Sequence, residues 1–142
     1  MGHALHEIWR VLTPQAYLID LRPLHVKPFL EIIYQGSIVR AGQIDETKGA
    51  PDDIAANQAL AELVEQKWFI PEETAKFNFP SYWDNPDELK TYADAHWRNT
   101  HIPADVLTQA RYLMPKNTAE AKVCVRSEMI IARYRKNSIS LF

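Results

Sequence analysis

The sequence has little cysteine and little glycine. Its 142 residues contain one cysteine, Cys124, and four glycines. A single cysteine excludes a disulfide within the chain and a zinc site built on a cysteine pair. The glycines form no G-x-G motif, so neither a dinucleotide-binding loop nor a Walker-type phosphate loop is encoded here. They stand at Gly2, Gly36, Gly42 and Gly49.

Long apolar runs and an excess of one charge are also absent. No stretch approaches the roughly 20 apolar residues that cross a bilayer. The chain does not open on a basic region followed by an apolar segment, as a secretory signal would. The formal net charge of -2 gives no general attraction to nucleic acid or to anionic lipid. We therefore expect a cytoplasmic protein with neither membrane nor nucleic acid among its partners.

What is present is typical of a globular domain. Hydrophobic residues make up 46% and charged residues 24%. Four Trp, six Tyr and five Phe indicate either a large core or an aromatic-lined pocket, and composition leaves both open. We expect one domain over residues 1–136 and a flexible tail over 137–142.

The first residues predict a helix that is followed at once by a strand. Leu5, Ile8, Trp9 and Leu12 recur at helical spacing, and Pro14 ends that pattern. Residues 17–21 then form a mostly apolar run between two turn signals. Such a run is typical of a strand that is covered on both faces, as in a parallel sheet.

Two local signals predict the next elements. Residues 29–34 and 37–44 are rich in β-branched and aromatic side chains and flank Gln35-Gly36, so we expect a hairpin. Pro51, followed by two aspartates, opens a helix that ends near residue 67 or 68. Its apolar stripe consists of Ile54, Ala56, Ala59, Leu60, Leu63 and Val64.

The second half alternates strands and helices. Phe77 and Phe79 indicate a half-exposed strand that Pro80 ends. Residues 85–88, Asn-Pro-Asp-Glu, predict a helix start, and the apolar stripe of that helix continues to Trp97. Another helix runs from Ile102-Pro103 to Met114-Pro115. The last strand covers 122–134, and its apolar part, 129–132, should lie in the middle of a sheet.

Three segments resemble the C-terminal half of class I S-adenosylmethionine-dependent methyltransferases. Residues 4–14, ALHEIWRVLTP, are similar to the helix and arginine-valine-leucine-x-proline turn before the family's fifth strand. Residues 82–89, YWDNPDEL, resemble a strand end and helix start on the acceptor side. Residues 123–136 resemble the antiparallel seventh strand, which inserts between the fifth and the sixth. Residues 29–46 look like an insertion.

The resemblance implies a fold and an activity. The expected fold is mixed α and β: a partial Rossmann-like methyltransferase sheet with flanking helices and an inserted β hairpin. The implied activity is methyl transfer from S-adenosylmethionine to a small-molecule acceptor. Where the family turn has proline-glycine-glycine, this chain has Pro14-Gln15-Ala16, so we expect a different backbone turn there.

The family's donor site has no counterpart in these residues. The family binds its donor through a glycine-rich loop after the first strand and an acidic residue after the second. Neither is found, so we expect a fragment, a truncated reading frame or a relic that supplies the acceptor side. Such a chain would be inactive alone and would not bind S-adenosylmethionine.

Four residues are candidates for acceptor binding. Asp20 and Arg22 follow the first strand, where open α/β sheets place ligands. Their alternative interpretation, an ion pair, is the favoured one. Tyr82 and Trp83 could line an acceptor pocket together with Tyr92 and Trp97, although aromatic residues at such spacing more often belong to the core. No residue qualifies as a catalytic base.

Other reactive residue types receive structural interpretations. His3 and His6 share a helix face without a third ligand, so we expect no metal site. Cys124 should be a buried, inert thiol. A basic cluster near the last strand indicates a solvated strand edge rather than a phosphate site. It consists of Arg126, Arg133, Arg135 and Lys136.

Two alternative functions stay open. The first is a non-catalytic module that binds a small apolar ligand or a protein partner through its aromatic residues. The second is a structural or assembly role. In either case, half of an open sheet leaves an exposed edge and uncovered apolar faces, so we expect self-association.

Overall fold

The computed structural model describes residues 2–24 and 26–138, which contain four α-helices and five β-strands. The order is α1 (Gly2–Val11), β1 (Tyr17–Pro23), β2 (Phe29–Tyr34), β3 (Ser37–Gln43), a 3₁₀ turn (Thr47–Gly49), α2 (Ala50–Glu65), β4 (Phe69–Trp83), α3 (Pro86–His96), α4 (Ala104–Leu113) and β5 (Lys122–Lys136).

The strands form one five-stranded antiparallel sheet. Its order is β1-β5-β2-β3, and β4 also pairs with β5. β5 pairs with β1 through residues 129–135 and with β2 through residues 122–125, antiparallel in both cases. The chain is therefore mixed α and β, as expected. The parallel, Rossmann-like arrangement is not confirmed, because the sheet is antiparallel.

The chain divides into two compact units, each built from separate segments. The first unit comprises Met1–Pro23, Pro51–Phe77 and Met129–Phe142. The second comprises Leu24–Ala50 and Asn78–Glu128. β4 and β5 each contribute residues to both units. The single domain expected over 1–136 stays a prediction.

In the first unit, β1 is open on one face. Tyr17, Ile19 and Leu21 are 53%, 54% and 53% exposed, whereas the alternate residues are half-buried. The expectation that this strand is covered on both faces is therefore wrong. The physical reason is that side chains of α1 and α2 meet β1 mostly on the face that carries Leu18 and Asp20, although Ile19 also lines the cavity there.

None of the residues of helix α1 is buried. Polar and aromatic contacts attach the helix to the rest of the unit. The indole Nε1 of Trp9 donates to the carbonyl of Trp68 at 3.0 Å, and the two rings meet edge to face. Lys136 places its ammonium 4.3 Å from the Trp9 ring centre and donates to the carbonyl of Leu12 at 2.6 Å. A cation over an indole face is attractive, so Trp9 is the main anchor of the helix.

In the turn after α1, Gln15 adopts a backbone conformation that glycine prefers, and the expected difference from the family's turn stays a prediction. Ala16 N donates to Thr13 O at 3.1 Å, and Gln15 has a φ of 64°. That angle favours glycine. The amide of Gln15 accepts from Arg135 at 2.7 Å, and this contact helps to hold the turn.

In the second unit, the hairpin β2–β3 is confirmed. Gln35 and Gly36 have φ values of 49° and 79°, which match a two-residue type I′ turn. β2 is buried, with Leu30 at 0% and Ile32 at 3% exposure. Helix α4 packs so closely on β3 that a Cβ at Gly42 would lie 2.6 Å from Val106 Cγ2. Glycine is needed there for close approach.

The second unit holds a contiguous apolar core. Its members come from β2, α3, α4, the first residues of β5 and the two connecting residues Ile44 and Ile102, and Trp83 and Trp97 pack against it. The buried residues are Leu30, Ile32, Ile44, Leu89, Ala93, Ile102, Val106, Leu107, Ala110, Val123 and Val125.

Strand β4 is longer than predicted. It continues through Pro80 to Trp83, so the expectation that Pro80 ends it is wrong. Pro71 also lies within it. β4 pairs only with β5 among the described strands, and proline is tolerated in an edge strand because its missing N–H faces no neighbour.

The predicted helices are confirmed with small differences. Asn85 caps α3 by accepting from Glu88 N at 2.9 Å. Trp97 follows the end of α3 in an extended conformation instead of continuing the helix. In α2, Ile54 was expected to face inward but is 56% exposed.

The last described residues are held by Asn137. Its backbone N–H donates to Trp68 O at 3.0 Å, and its side chain donates to Lys67 O at 2.8 Å. Asn137 is thus buried and bonded, although we expected a flexible tail from this residue on. Residues 139–142 lie outside the described part of the chain.

Candidate functional site

The two predicted pairs of site residues lie in different units. Asp20 and Arg22 belong to the first, Tyr82 and Trp83 to the second. Each pair is therefore described within its own unit.

Asp20 and Arg22 form an ion pair on the covered face of β1. Arg22 Nε donates to the two carboxylate oxygens of Asp20 at 2.8 and 2.9 Å. A second nitrogen of Arg22 donates to Asn57 Oδ1 of α2 at 2.8 Å. These contacts support the ion-pair interpretation. Asn57 belongs to the same hydrogen-bonded cluster, and the sequence did not suggest it.

Tyr134 lies on the same face, since Leu18 pairs with Tyr134 and Asp20 with Ala132. Burial, and then the negative charge of Asp20, raise the pKa of the Tyr134 phenol. The phenol therefore keeps its proton at neutral pH and can donate a hydrogen bond. Sequence reasoning missed Tyr134, which only the strand register brings to this face.

The cavity beside this ion pair is small. It measures about 110 Å³ and is bounded by side chains of α1, β1 and α2. Ligand pockets usually measure roughly 300–1,000 Å³. The cavity is too small for a drug-sized molecule, so Asp20 and Arg22 here connect β1 to α2.

The aromatic residues of the second unit form a cluster at the end of β4. The Trp83 ring centre lies 5.5 Å from that of Tyr92 and 6.3 Å from that of Trp97. His96 lies 4.5 Å from Tyr92. Trp83 is half-buried against the core, whereas Tyr82 is 55% exposed and does not join the cluster. The structure thus brings Trp83 together with Tyr92 and leaves Tyr82 apart from them, and acceptor binding by Tyr82 and Trp83 stays a prediction.

A cavity of about 520 Å³ opens on this cluster. Its size falls within the range of ligand pockets. Rings and carboxylates share its lining, which consists of Trp83, Asn85, Asp87, Glu88, Thr91, Tyr92, Ala95 and His96. The site includes Asp87, Glu88 and His96, which sequence reasoning did not select. Glu88, Tyr92 and His96 follow one another at four-residue spacing, a signal that could have found them.

The basic residues near β5 are engaged in pairs. Arg126 donates to Glu31 at 2.7 Å, and Arg135 donates to Glu72 at 2.7 Å. Arg133 lies 3.0 Å from Glu72 and 3.4 Å from Glu73. Because carboxylates already neutralise these guanidinium groups, the contacts do not favour a phosphate site. The solvated strand edge expected for this cluster is wrong, because β5 pairs with three other strands and Lys136 is only 8% exposed.

Cys124 is buried, with 0% exposure. Burial raises the pKa of its thiol, and nearby Arg126 opposes that effect only in part. The protonated thiol is a poor nucleophile. Among the residues that the structure describes, no group of three His, Cys, Asp or Glu side chains is placed to hold a metal ion. His25 lies outside the described residues.

The glycines do not fit a methyl-donor site. Gly36 forms the hairpin turn, Gly42 packs on Val106, and Gly49 ends a 3₁₀ turn. Gly2 lies in α1. Gly49 lies between β3 and α2, but it is the only glycine in that connection, so no glycine-rich loop that could approach the donor is formed there. The residues present therefore do not fit S-adenosylmethionine.

Within residues 2–24 and 26–138, no helix is both long and apolar enough to cross a membrane. No protein-family model, curated protein or solved structure matches the chain.

Proposed function

We propose that this chain supplies the acceptor side of a class I S-adenosylmethionine-dependent methyltransferase and that it is inactive alone. One observation carries the proposal. β5 pairs with both β1 and β4. The resemblance implies that the seventh strand, here β5, inserts between the fifth, here β1, and the sixth. We propose that β4 takes the place of the sixth.

β5 contacts both of these neighbours within the first unit. Residues 129–135 pair with β1. The same stretch meets the start of β4 through the contacts of Arg133 and Arg135 with Glu72. A strand has two edges, and we propose that β1 and β4 occupy opposite edges of β5. The pairing supports the proposal, and the correspondence of the strands with those of the family rests on the sequence segments.

The proposed role is to position an acceptor. Methyl transfer depends largely on holding the acceptor atom in line with the donor, at times with a base that takes a proton. Trp83 and Tyr92 would form the acceptor wall. Asp20 and Arg22 would hold β1 on α2, and Tyr82 would stay outside the pocket. No step through the donor is derived, since its site does not fit these residues.

Titration calorimetry and a mixing experiment test this proposal. We expect no heat when S-adenosylmethionine is added to the chain alone, up to millimolar concentration. Mixing the chain with a separately produced donor-binding half of such an enzyme should restore donor binding and methyl transfer to small-molecule acceptors. Micromolar binding by the chain alone would contradict its inactivity. Failure of every mixture to form a complex would contradict the acceptor-side role.

A non-catalytic binding module is a second candidate, favoured by the open face of β1. Ile19 and Ile131 line a cavity of about 470 Å³ on this face, together with Glu73 and Arg133. Apolar side chains exposed together often mark an interaction surface. We propose a second copy of the chain as the occupant, because Ile19, Leu21 and Ile131 are exposed together on this face and the same face of a second copy would cover them.

Light scattering coupled to size-exclusion chromatography tests this second candidate. We expect a dimer whose population falls when Ile19→Lys introduces a charge into the face. Val26→Lys, at an exposed apolar residue of the second unit, is the matched control and should leave the dimer intact. A monomer at all concentrations would refute self-association. The cytoplasmic location stays a proposal based on the sequence alone.

A further inference from the structure

The cavity beside α3 combines aromatic rings with negative charge. Of its eight lining residues, three carry rings and two carry carboxylates, and none is lysine or arginine. Ring faces attract cations through their quadrupole, and tryptophan does so most strongly. Carboxylates attract the same ligands by charge. The lining therefore favours a positively charged organic group.

The three rings pack against one another and form one wall of the cavity. Tyr92 stands between Trp83, at 5.5 Å, and His96, at 4.5 Å between ring centres. Tyr92 is 44% exposed, so part of its ring surface is accessible. Glu88 lies one helical turn before Tyr92, which brings its carboxylate to the same side of α3.

The two carboxylates differ in their partners. Asp87 accepts from Arg111 at 2.6 Å, so its charge is already neutralised. Glu88 accepts from the backbone N–H of Asp84 at 3.1 Å. In the described part of the chain, no lysine or arginine lies within 4.0 Å of the Glu88 carboxylate. The cavity thus keeps one negative charge that a bound cation would balance.

We propose that this cavity binds an organic cation of the methylated-ammonium class. The rings of Trp83 and Tyr92 contact its methyl or methylene groups, and Glu88 is its counter-ion. Identifying this cation with the methyl acceptor, an amine, rests on the proposed function. Binding itself does not, because it needs neither donor nor methyl transfer.

A nuclear magnetic resonance titration with choline tests the proposal on the full chain. The probe is compared with 3,3-dimethylbutan-1-ol, which has the same shape without charge. We expect choline to shift the indole N–H signal of Trp83 and to leave that of Trp9 unchanged. Each exposed cation–π contact contributes about 1 kcal/mol, so the neutral analogue should bind at least about fivefold more weakly.

Matched variants locate the site. Tyr92→Leu removes a ring and should weaken choline binding about fivefold, whereas Tyr92→Phe keeps the ring and should bind as the native chain does. Tyr112→Leu, at a tyrosine on α4 that is 82% exposed and outside the lining, is the control. Glu88→Gln should weaken binding of choline and leave the neutral analogue unaffected. Glu120→Gln is its control.

Equal binding of choline and its neutral analogue would overturn the proposal, as would an unshifted Trp83 signal at high choline concentration. Native binding by both Tyr92→Leu and Glu88→Gln would do the same. These outcomes are distinct from failure of the proposed function, which is read from donor binding and methyl transfer. Choline binding without methyl transfer in the mixing experiment would leave the cation site standing and remove only its assignment to the acceptor.

Discussion

β1 and β2 are similar in sequence but differ in burial. β1 reads YLIDLRP and β2 reads FLEIIY, and each mixes apolar residues with a few charges. In β1 no residue is buried, whereas in β2 three consecutive residues are. Apolar content alone therefore does not decide which strand becomes core.

The difference lies in what covers each strand. In the second unit, α4 packs on the hairpin, and its Val106 approaches Gly42 closely. In the first unit, the side chains of α1 and α2 meet β1 mostly on the face that carries Leu18 and Asp20. A strand face is buried when a helix or another layer packs on it. The side chains on the open face of β1 are exposed because no such layer covers them.

The largest expected effect separates the two strands directly. Leu30→Ala removes a side chain that is 0% exposed and should lower the free energy of unfolding by about 2–5 kcal/mol, because it leaves a cavity. Leu21→Ala, on the open face of β1, should cost less than about 1 kcal/mol. Urea unfolding followed by tryptophan fluorescence at low protein concentration measures both.

Equal losses for Leu30→Ala and Leu21→Ala would break the comparison. They would show that the face of β1 is covered in solution, for example by a second copy of the chain. Repeating the measurement for Leu21→Ala over a range of protein concentrations separates that case, because association makes apparent stability concentration-dependent.

A second expected difference concerns charged residues. Glu31 of β2 is 5% exposed and accepts from Arg126 at 2.7 Å. Glu31→Gln should lower the free energy of unfolding by about 1.5–3 kcal/mol, because a hydrogen bond between charged groups is lost. Glu73→Gln, whose side chain is 77% exposed, should change it by at most about 0.5 kcal/mol.

The same urea assay measures the free energy of unfolding of both variants, Glu31→Gln and Glu73→Gln. A cost for Glu73→Gln as large as that for Glu31→Gln would mean that exposed ion pairs hold the first unit together. That outcome would contradict the view that its surface charges contribute little.

Alkaline pH should affect a buried group in each unit. Burial raises the pKa of Cys124 above 9.0 in the second unit and that of Tyr134 above 10.0 in the first. The unfolded chain therefore loses these protons at lower pH than the folded chain. The free energy of unfolding is fully retained below those values and falls as pH rises through them.

Cys124→Ala isolates the contribution of the second unit. Between neutral pH and about pH 10, the variant should lose less of its free energy of unfolding than the native chain, because alanine has no proton to release. Urea midpoints across this range measure the difference. Parallel curves for both proteins would show that the thiol is not desolvated.

The smallest expected effect is in the hairpin turn. Gln35 has a φ of 49°, and asparagine tolerates the left-handed region better than glutamine does. Gln35→Asn should raise the free energy of unfolding by about 0.5 kcal/mol. Gln15→Asn is the comparison in the first unit, where loss of the contact with Arg135 should cancel the gain. A stabilisation at Gln15 as large as at Gln35 would show that this contact contributes nothing.

Elements with local signals were predictable from the sequence. The hairpin follows from Gln35-Gly36, α3 from its Asn85 cap, and α2 and α4 from a proline near each start. These signals act over two to four residues, so no tertiary information is needed. The exposure of one face of β1 and the continuation of β4 through Pro80 depend on which helices and strands lie beside them. Local sequence signals do not specify those tertiary neighbours.

The candidate site was predictable only in part. The sequence suggested Trp83 and Tyr92 as a possible pocket wall but favoured a core role for them, and Trp83 does pack against the core. Tyr82 was selected by its position beside Trp83, yet adjacent strand residues point to opposite faces. Tyr134 was not foreseen, because it meets Asp20 only through pairing across more than a hundred residues of sequence.

The dual membership of β5 has a consequence for synthesis on the ribosome. β5 follows all other described elements along the chain and gives residues to both units. Tyr17 therefore leaves the exit tunnel long before Arg135, its pairing partner. Until then β1 is an unpaired apolar strand on a nascent chain, which is the kind of segment that chaperones bind. Because the chain is synthesised from its N-terminus, neither unit can be completed until β5 has left the ribosome.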